Sequence, residues 1–260
     1  MRTHKRSYIA LGFVVLFYLG FGAYLTLSQE SVVYQPWPQD FAACSALEDA
    51  RRVDHSGTRM YVKDGERGMV VLYHGNAGSA CDRAFYAEQF TAAGYGYALV
   101  EYAGYSNDLR QTTHELVRQD VRNTIAYLEE QGVAHVLVVG ESIGSGAAAY
   151  HTSIAQPDKL LLIAPFTTLP DVAQAHFWYY PAGLLVQNAF DNPTLLSGYA
   201  RSVTIIHGTS DGVIPHKLGQ TLYESLPTEN KAFVSIPNHG HNDLFQAQLT
   251  WDTLQDFLED

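Results

Sequence analysis

The chain has 260 residues, 47% of them apolar, and its 16 Lys and Arg against 27 Asp and Glu give a net charge of −11. That length fits one large α/β domain or two small ones. The acidic balance, with no basic stripe to neutralise phosphates, argues against a nucleic-acid partner.

Arg2, His4, Lys5 and Arg6 precede Tyr8 to Leu27, a run of twenty residues without a charge. At about 1.5 Å rise per residue such a run makes a helix of about 30 Å, the thickness of one hydrocarbon core. Residues 28 to 40 contain acidic residues but no Lys or Arg, so the charge asymmetry predicts a cytoplasmic N-terminus and a chain exported beyond it. A cleaved signal peptide is the competing reading, with Thr26-Leu27-Ser28 as its cleavage site. The apolar core exceeds the usual signal-peptide length, which favours a retained single-pass anchor. Cys44 and Cys81 suit an exported domain and could pair, although buried free thiols fit the sequence as well.

The expected organisation is a cytoplasmic tip and transmembrane anchor over residues 1–30, a spacer and entry segment over 31–57, and a folded domain over 58–260. Pro36 and Pro38 stiffen the spacer. The β rhythm begins near Thr58 and resumes at Met69-Val70-Val71-Leu72-Tyr73, a run with no polar alternation that suits a strand covered on both faces. A helix is expected over 83–93, ended by Gly94, and a strand over 96–101. Thr112 and Glu115 have capping-box spacing, and Val117, Val121, Ile125 and Leu128 mark one helical face after them. Further strands are expected at 136–139, 159–164, 203–207 and 231–236, before a final amphipathic helix carrying Leu244, Phe245, Leu249, Trp251, Leu254, Phe257 and Leu258. Strands alternating with helices predict a mostly parallel, doubly wound sheet.

Gly140-Glu141-Ser142-Ile143-Gly144 stands where the strand must turn abruptly into a helix. That is the position of a nucleophile elbow, whose glycines make room for a strained serine; a structural turn with an idle serine is the plain alternative. A serine hydroxyl needs an imidazole to take its proton and a carboxylate to fix that imidazole's tautomer. Asp211, after one strand, and His241, after the next, supply them in the order this architecture uses. His239 competes with His241, and Asp243 reads as a helix N-cap. The loop His74-Gly75-Asn76-Ala77-Gly78 can bring a backbone N–H close to a carbonyl, so the amides of Asn76 and Ile143 are the expected oxyanion hole. The Asn76 side chain and His74 are expected to brace that loop. Aromatic residues crowd 165–200, expected as a lid, with Phe166, Phe177 and Trp178 as candidates for binding an acyl group; packing of a local subcore would account for them equally. His239-x-His241-x-Asp243 also matches part of a zinc-hydrolase motif, but Leu244 stands where a further histidine is needed.

Together these stretches, with Ala164-Pro165-Phe166, Phe190-Asp191, His207-Gly208-Thr209-Ser210-Asp211 and Val213-Ile214-Pro215, resemble the α/β-hydrolase superfamily. More narrowly they resemble its membrane-anchored small serine hydrolases, the depalmitoylase-like enzymes among them. The resemblance covers residues 58 to 258. It implies an α/β-hydrolase fold preceded by one transmembrane helix, with no metal and no cofactor. It further implies cleavage of a small-molecule or lipid-like acyl ester or thioester, on the exported side of a membrane engaged through residues 8–27. Relatives carry Tyr-Arg-Gly-Tyr-Gly where this chain has Tyr102-Ala103-Gly104-Tyr105-Ser106. An acyltransferase, a serine peptidase and a non-catalytic binding protein remain alternatives on the same residues.

Overall fold

The structure, a computed structural model, describes residues 2–187 and 190–259, with side chains from Tyr8 onward. Helix α1 (Arg2–Leu27) is followed by α2 (Gln29–Val33) and two short 3₁₀ turns. The sheet then begins with β1 (Arg51–His55), β2 (Thr58–Lys63) and β3 (Met69–Tyr73), and α3 (Ala84–Ala92) leads to β4 (Gly96–Glu101). Next come α4 (His114–Glu130), β5 (Val136–Glu141), α5 (Gly144–Ile154) and β6 (Lys159–Ile163). Three short helices, α6 (Leu169–His176), α7 (Ala182–Leu185) and α8 (Asn192–Leu196), occupy the expected lid range, of which residues 188 and 189 lie outside the described part. The chain closes with β7 (Ser202–Gly208), α9 (His216–Ser225), β8 (Lys231–Ile236) and α10 (Gln248–Glu259).

The eight strands lie in the order β1-β2-β4-β3-β5-β6-β7-β8, antiparallel from β1 to β4 and parallel beyond. Both faces are covered, and the pleat divides each central strand between them. Met69, Val71 and Tyr73 of β3 join the layer of α4, α5, α8 and α9, while Val70 and Leu72 join that of α3 and α10.

Three local readings change. The sheet starts at Arg51 and not near Thr58, because Arg51-Arg52-Val53-Asp54-His55 is a solvent-exposed edge strand with no apolar alternation to betray it. Thr113, not Thr112, caps α4 by accepting a hydrogen bond from the Leu116 amide, while the Thr112 hydroxyl donates to the Ala103 carbonyl. Glu115 is accordingly spent on Arg118 and Arg122. Cys44 and Cys81 form a disulfide, with Cα atoms 5.8 Å apart.

Under the elbow, the Tyr73 hydroxyl and His151 Nδ1 share a hydrogen bond of 2.9 Å, deep between β3 and α5. Burial pushes the His151 imidazole down to about 3. A group whose folded value lies below its unfolded one near 6.5 costs stability as pH falls through that window, because only the unfolded chain takes the proton. Lowering the pH from 7 to 5 is therefore expected to remove about 2 kcal/mol through this residue, and the fall in melting temperature should be shallower in His151→Gln. An equal slope in both proteins would rule out this origin.

Candidate active site

Each expected site residue outside the lid sits beyond the carboxyl end of a parallel strand, where open α/β sheets build their sites. Ser142 follows β5 with φ of 54°, a left-handed conformation that non-glycine residues rarely adopt. Its flanking glycines are sterically required. A Cβ on Gly144 would stand 2.1 Å from the Tyr73 carbonyl oxygen, and one on Gly140 would stand 2.6 Å from the Ala148 side chain. The turn can close only with bare backbone at these positions, and it projects Ser142 above the start of α5.

His241 lies in the loop after β8. Its Nε2 is 2.9 Å from Ser142 Oγ and its Nδ1 is 2.7 Å from Asp211 Oδ2. The other Asp211 oxygen accepts the Val213 and Ile214 amides, both at 2.8 Å. Burial pushes the Asp211 carboxyl up, but hydrogen bonds from His207 and His241, the charge of His241 and the Ile214 amide together hold it far below the usual carboxylate range. An ionised Asp211 can only accept, so the proton on His241 sits on Nδ1 and Nε2 is left to accept from the serine. The two loops are locked to one another: Ser210 donates its amide to the His239 carbonyl, and Gly208 has no side chain where that carbonyl packs.

His239 and Asp243 stand aside from this arrangement. His239 bonds through Nδ1 to the Pro237 carbonyl. Asp243 makes no side-chain cap; its carboxylate turns back to accept the Gly240 amide at 2.6 Å, which fixes the loop next to His241. Among the described residues no three His, Cys, Asp or Glu side chains are grouped to hold a metal ion.

The loop after β3 packs on an ion pair. Arg83 grips Glu141 with Nη2 at 2.6 Å from Oε1 and Nε at 3.2 Å from Oε2, and a Cβ on Gly75 would stand 2.7 Å from Glu141 Oε1. The Asn76 side chain accepts from the Gln35 amide and the Tyr105 hydroxyl and donates to the Val33 carbonyl, tying this loop to the segment that follows α1. His74 packs on Tyr102 and faces Glu101 at 3.3 Å. Among the described residues the backbone amides of Asn76 and Ile143 have no hydrogen-bond partner. The 102–106 loop, which lacks an arginine of its own, is held by Arg59 of β2, whose guanidinium donates to the Tyr105 and Ser106 carbonyls.

Two cavities meet at this point. One of about 340 Å³ has Ser142 and Ile143 at its base and Phe166 and Phe177 in its walls. Trp178, the third aromatic candidate, is 78% exposed and does not line it. Leu25, Thr26, Gln29, Val32 and Val33, from the end of α1 and from α2, complete the wall. No sequence pattern marked them, since an apolar helix carries the same composition whether it faces lipid or a cavity. The second, of about 480 Å³, lies on the His241 side and has a mixed lining, with Arg83, Glu141 and Asn242 beside Phe85, Leu244 and Phe245.

The esterase EaEST of Exiguobacterium antarcticum superposes on the chain with a TM-score of 0.63 at 16% identity, over 81% of this chain and 100% of that one. The chain has the fold of the α/β-hydrolases. No family model matches this chain. It is 25% identical to the uncharacterized protein MT2364 of Mycobacterium tuberculosis, over 97% of this chain and 95% of that one. It is 23% identical to the lysophosphatidylserine lipase ABHD12 of Danio rerio over 73% of this chain, but spans only 58% of that protein.

Proposed function

We propose that the chain is a serine hydrolase of lipid-like carboxylic esters or thioesters, tethered to a membrane by α1, with the hydrolase domain on the exported side. The reading is supported chiefly by one observation: His241 is within hydrogen-bond distance of both Ser142 Oγ and Asp211 Oδ2, with its proton fixed on the Asp211 side. His241 Nε2 takes the hydroxyl proton as Ser142 Oγ attacks the acyl carbon. The oxyanion is held by the Asn76 and Ile143 amides, and the imidazolium is stabilised by Asp211. Collapse breaks the bond to the leaving oxygen or sulfur, which departs with the proton from His241. Water, deprotonated by the same imidazole, then attacks the acyl-enzyme and releases the acid and the free serine.

The apolar cavity under the lid suits the acyl chain, and the second cavity, where Arg83 and Asn242 stand among Phe85, Leu244 and Phe245, suits the leaving group. An esterase fold neighbour and the lysophosphatidylserine lipase relative support an amphiphilic acyl ester over a peptide. The Cys44–Cys81 bridge supports an oxidising compartment for the domain. A fluorophosphonate probe tests the reading: the adduct should map to the peptide containing Ser142. A protein that stays unlabelled, or that labels elsewhere, would reject it.

A further inference from the structure

Helix α1 does not part from the domain where a simple anchor would. Tyr18, in the middle of its apolar run, stacks on Tyr180 of the lid with ring centroids 4.4 Å apart. The Tyr18 hydroxyl donates to the Tyr179 carbonyl at 2.6 Å, and the Tyr180 hydroxyl donates to the Tyr18 carbonyl at 2.9 Å. Gly22, one turn on, leaves room for the Tyr180 ring, which a Cβ would meet at 3.0 Å. Tyr18 precedes Leu27 by about 13 Å along the helix at 1.5 Å per residue, close to half of a hydrocarbon core. When Tyr8–Leu27 spans a bilayer, the lid segment in contact with Tyr18 lies inside the leaflet on the domain's side.

The lid has the chemistry for that place. Between Asp171 and Asp191 there is no Asp, Glu, Lys or Arg. Trp178 and Leu184 are 78% and 81% exposed and Tyr179 is about half exposed, without covering protein. Hydrocarbon tolerates irregular backbone only where its polar groups are largely satisfied, and six consecutive carbonyls of the lid each accept a hydrogen bond, whereas the Trp178 and Tyr179 amides have no protein partner among the described residues. Phe177, Tyr180, Pro181 and Ala182 accept from the amides of Tyr180, Ala182, Leu184 and Val186. The two carbonyls left over are taken by side chains, Trp178 by Gln174 and Tyr179 by Tyr18.

We propose that the lid is inserted in the bilayer beside α1, and that the cavity at Ser142 receives a fatty acyl chain laterally from that leaflet, between the end of α1 and α7. This rests on the serine-hydrolase reading and adds its substrate class: an ester whose acyl chain resides in the membrane, taken without passing through water. Leu25 and Thr26 on one side and Tyr180 and Leu185 on the other are the walls such a chain would slide between.

The full-length protein in phosphatidylcholine vesicles provides the test. Lipids brominated along the acyl chains should quench tryptophan fluorescence in the wild type and quench it less in Trp178→Phe, since Trp178 alone reaches that depth. In the same vesicles Leu184→Lys, outside the cavity wall, should slow hydrolysis of an embedded long-chain monoacylglycerol about tenfold and leave that of soluble p-nitrophenyl acetate unchanged. Equal quenching in wild type and Trp178→Phe, or no difference between Leu184→Lys and wild type on the embedded ester, overturns the inserted lid. Failure of the hydrolase reading looks different: neither ester turns over in the wild type, while the Trp178 quenching persists.

Discussion

Ser142→Ala is expected to lower kcat on a soluble ester by about 10⁶-fold, and Asp211→Asn by about 10⁴-fold, with little change in melting temperature for the first. The two losses have different causes. Alanine removes the nucleophile and leaves the strained turn intact, because the clash-bearing positions are Gly140 and Gly144 and not the serine itself. Asparagine at 211 keeps the Val213 and Ile214 amides satisfied by its carbonyl oxygen, which takes the place of Oδ1. Its NH₂ group then points at His241 Nδ1, where Oδ2 now accepts at 2.7 Å. A donor facing Nδ1 drives the imidazole proton to Nε2, and the atom that should accept from Ser142 becomes a donor. Single-turnover rates of the wild type and Asp211→Asn at one neutral pH would check this. A loss below about tenfold in Asp211→Asn would sink the assigned role of the carboxylate.

What was legible in the sequence follows from where local sterics leave no choice. The elbow could be read because bare backbone is the only solution at residues 140 and 144, so the chain carries glycine there whatever surrounds it. The central strands could be read because burial on both faces removes polar residues from them altogether. Asp211 and His241 could be placed because a strand with its following loop fixes which end of the sheet a residue reaches. The edge strand β1 was hidden by the opposite circumstance, since one edge and one open face impose no hydrophobic pattern. Thr112 and Thr113 offer the same hydroxyl one residue apart, and only the Ala103 carbonyl, far along the chain, decides which of them caps α4.

The wall of the cavity at Ser142 was beyond reach for a further reason. Leu25, Val32 and Val33 face the lid because Asn76 holds the Val33 carbonyl and the Gln35 amide, and because Gln29 accepts the Gln187 amide. These are contacts between segments up to 158 residues apart. Phe177 and Trp178 show the limit from the other side. They are neighbours of the same type, yet one lines the cavity and the other turns outward, a difference set by the short helices of the lid and not by composition.

Removing the Cys44–Cys81 bridge in a Cys44→Ala/Cys81→Ala variant is expected to cost about 4 kcal/mol, the loop-closure entropy for residues separated by 37 positions. For a chain of this size that corresponds to a drop in melting temperature of about 8–15 °C. Alanine at both positions avoids leaving a polar hydroxyl in the core, where Cys44 and Cys81 are both buried. The bridge also has a positional effect. Cys81 opens the turn into α3 directly after the 74–78 loop, and Cys44 lies in the segment that joins α2 to β1. The covalent tie therefore supports the Asn76 contacts that hold α2 against the cavity. The bridge-free variant should consequently lose more activity on a long-chain ester than on acetate at a temperature where both proteins are folded. A melting temperature within about 2 °C of wild type would mean that the unfolded chain gains almost no freedom when the link is cut. Thiol titration of the protein denatured without reductant should find no free sulfhydryl; two reactive thiols would show that the pair is reduced in the isolated protein.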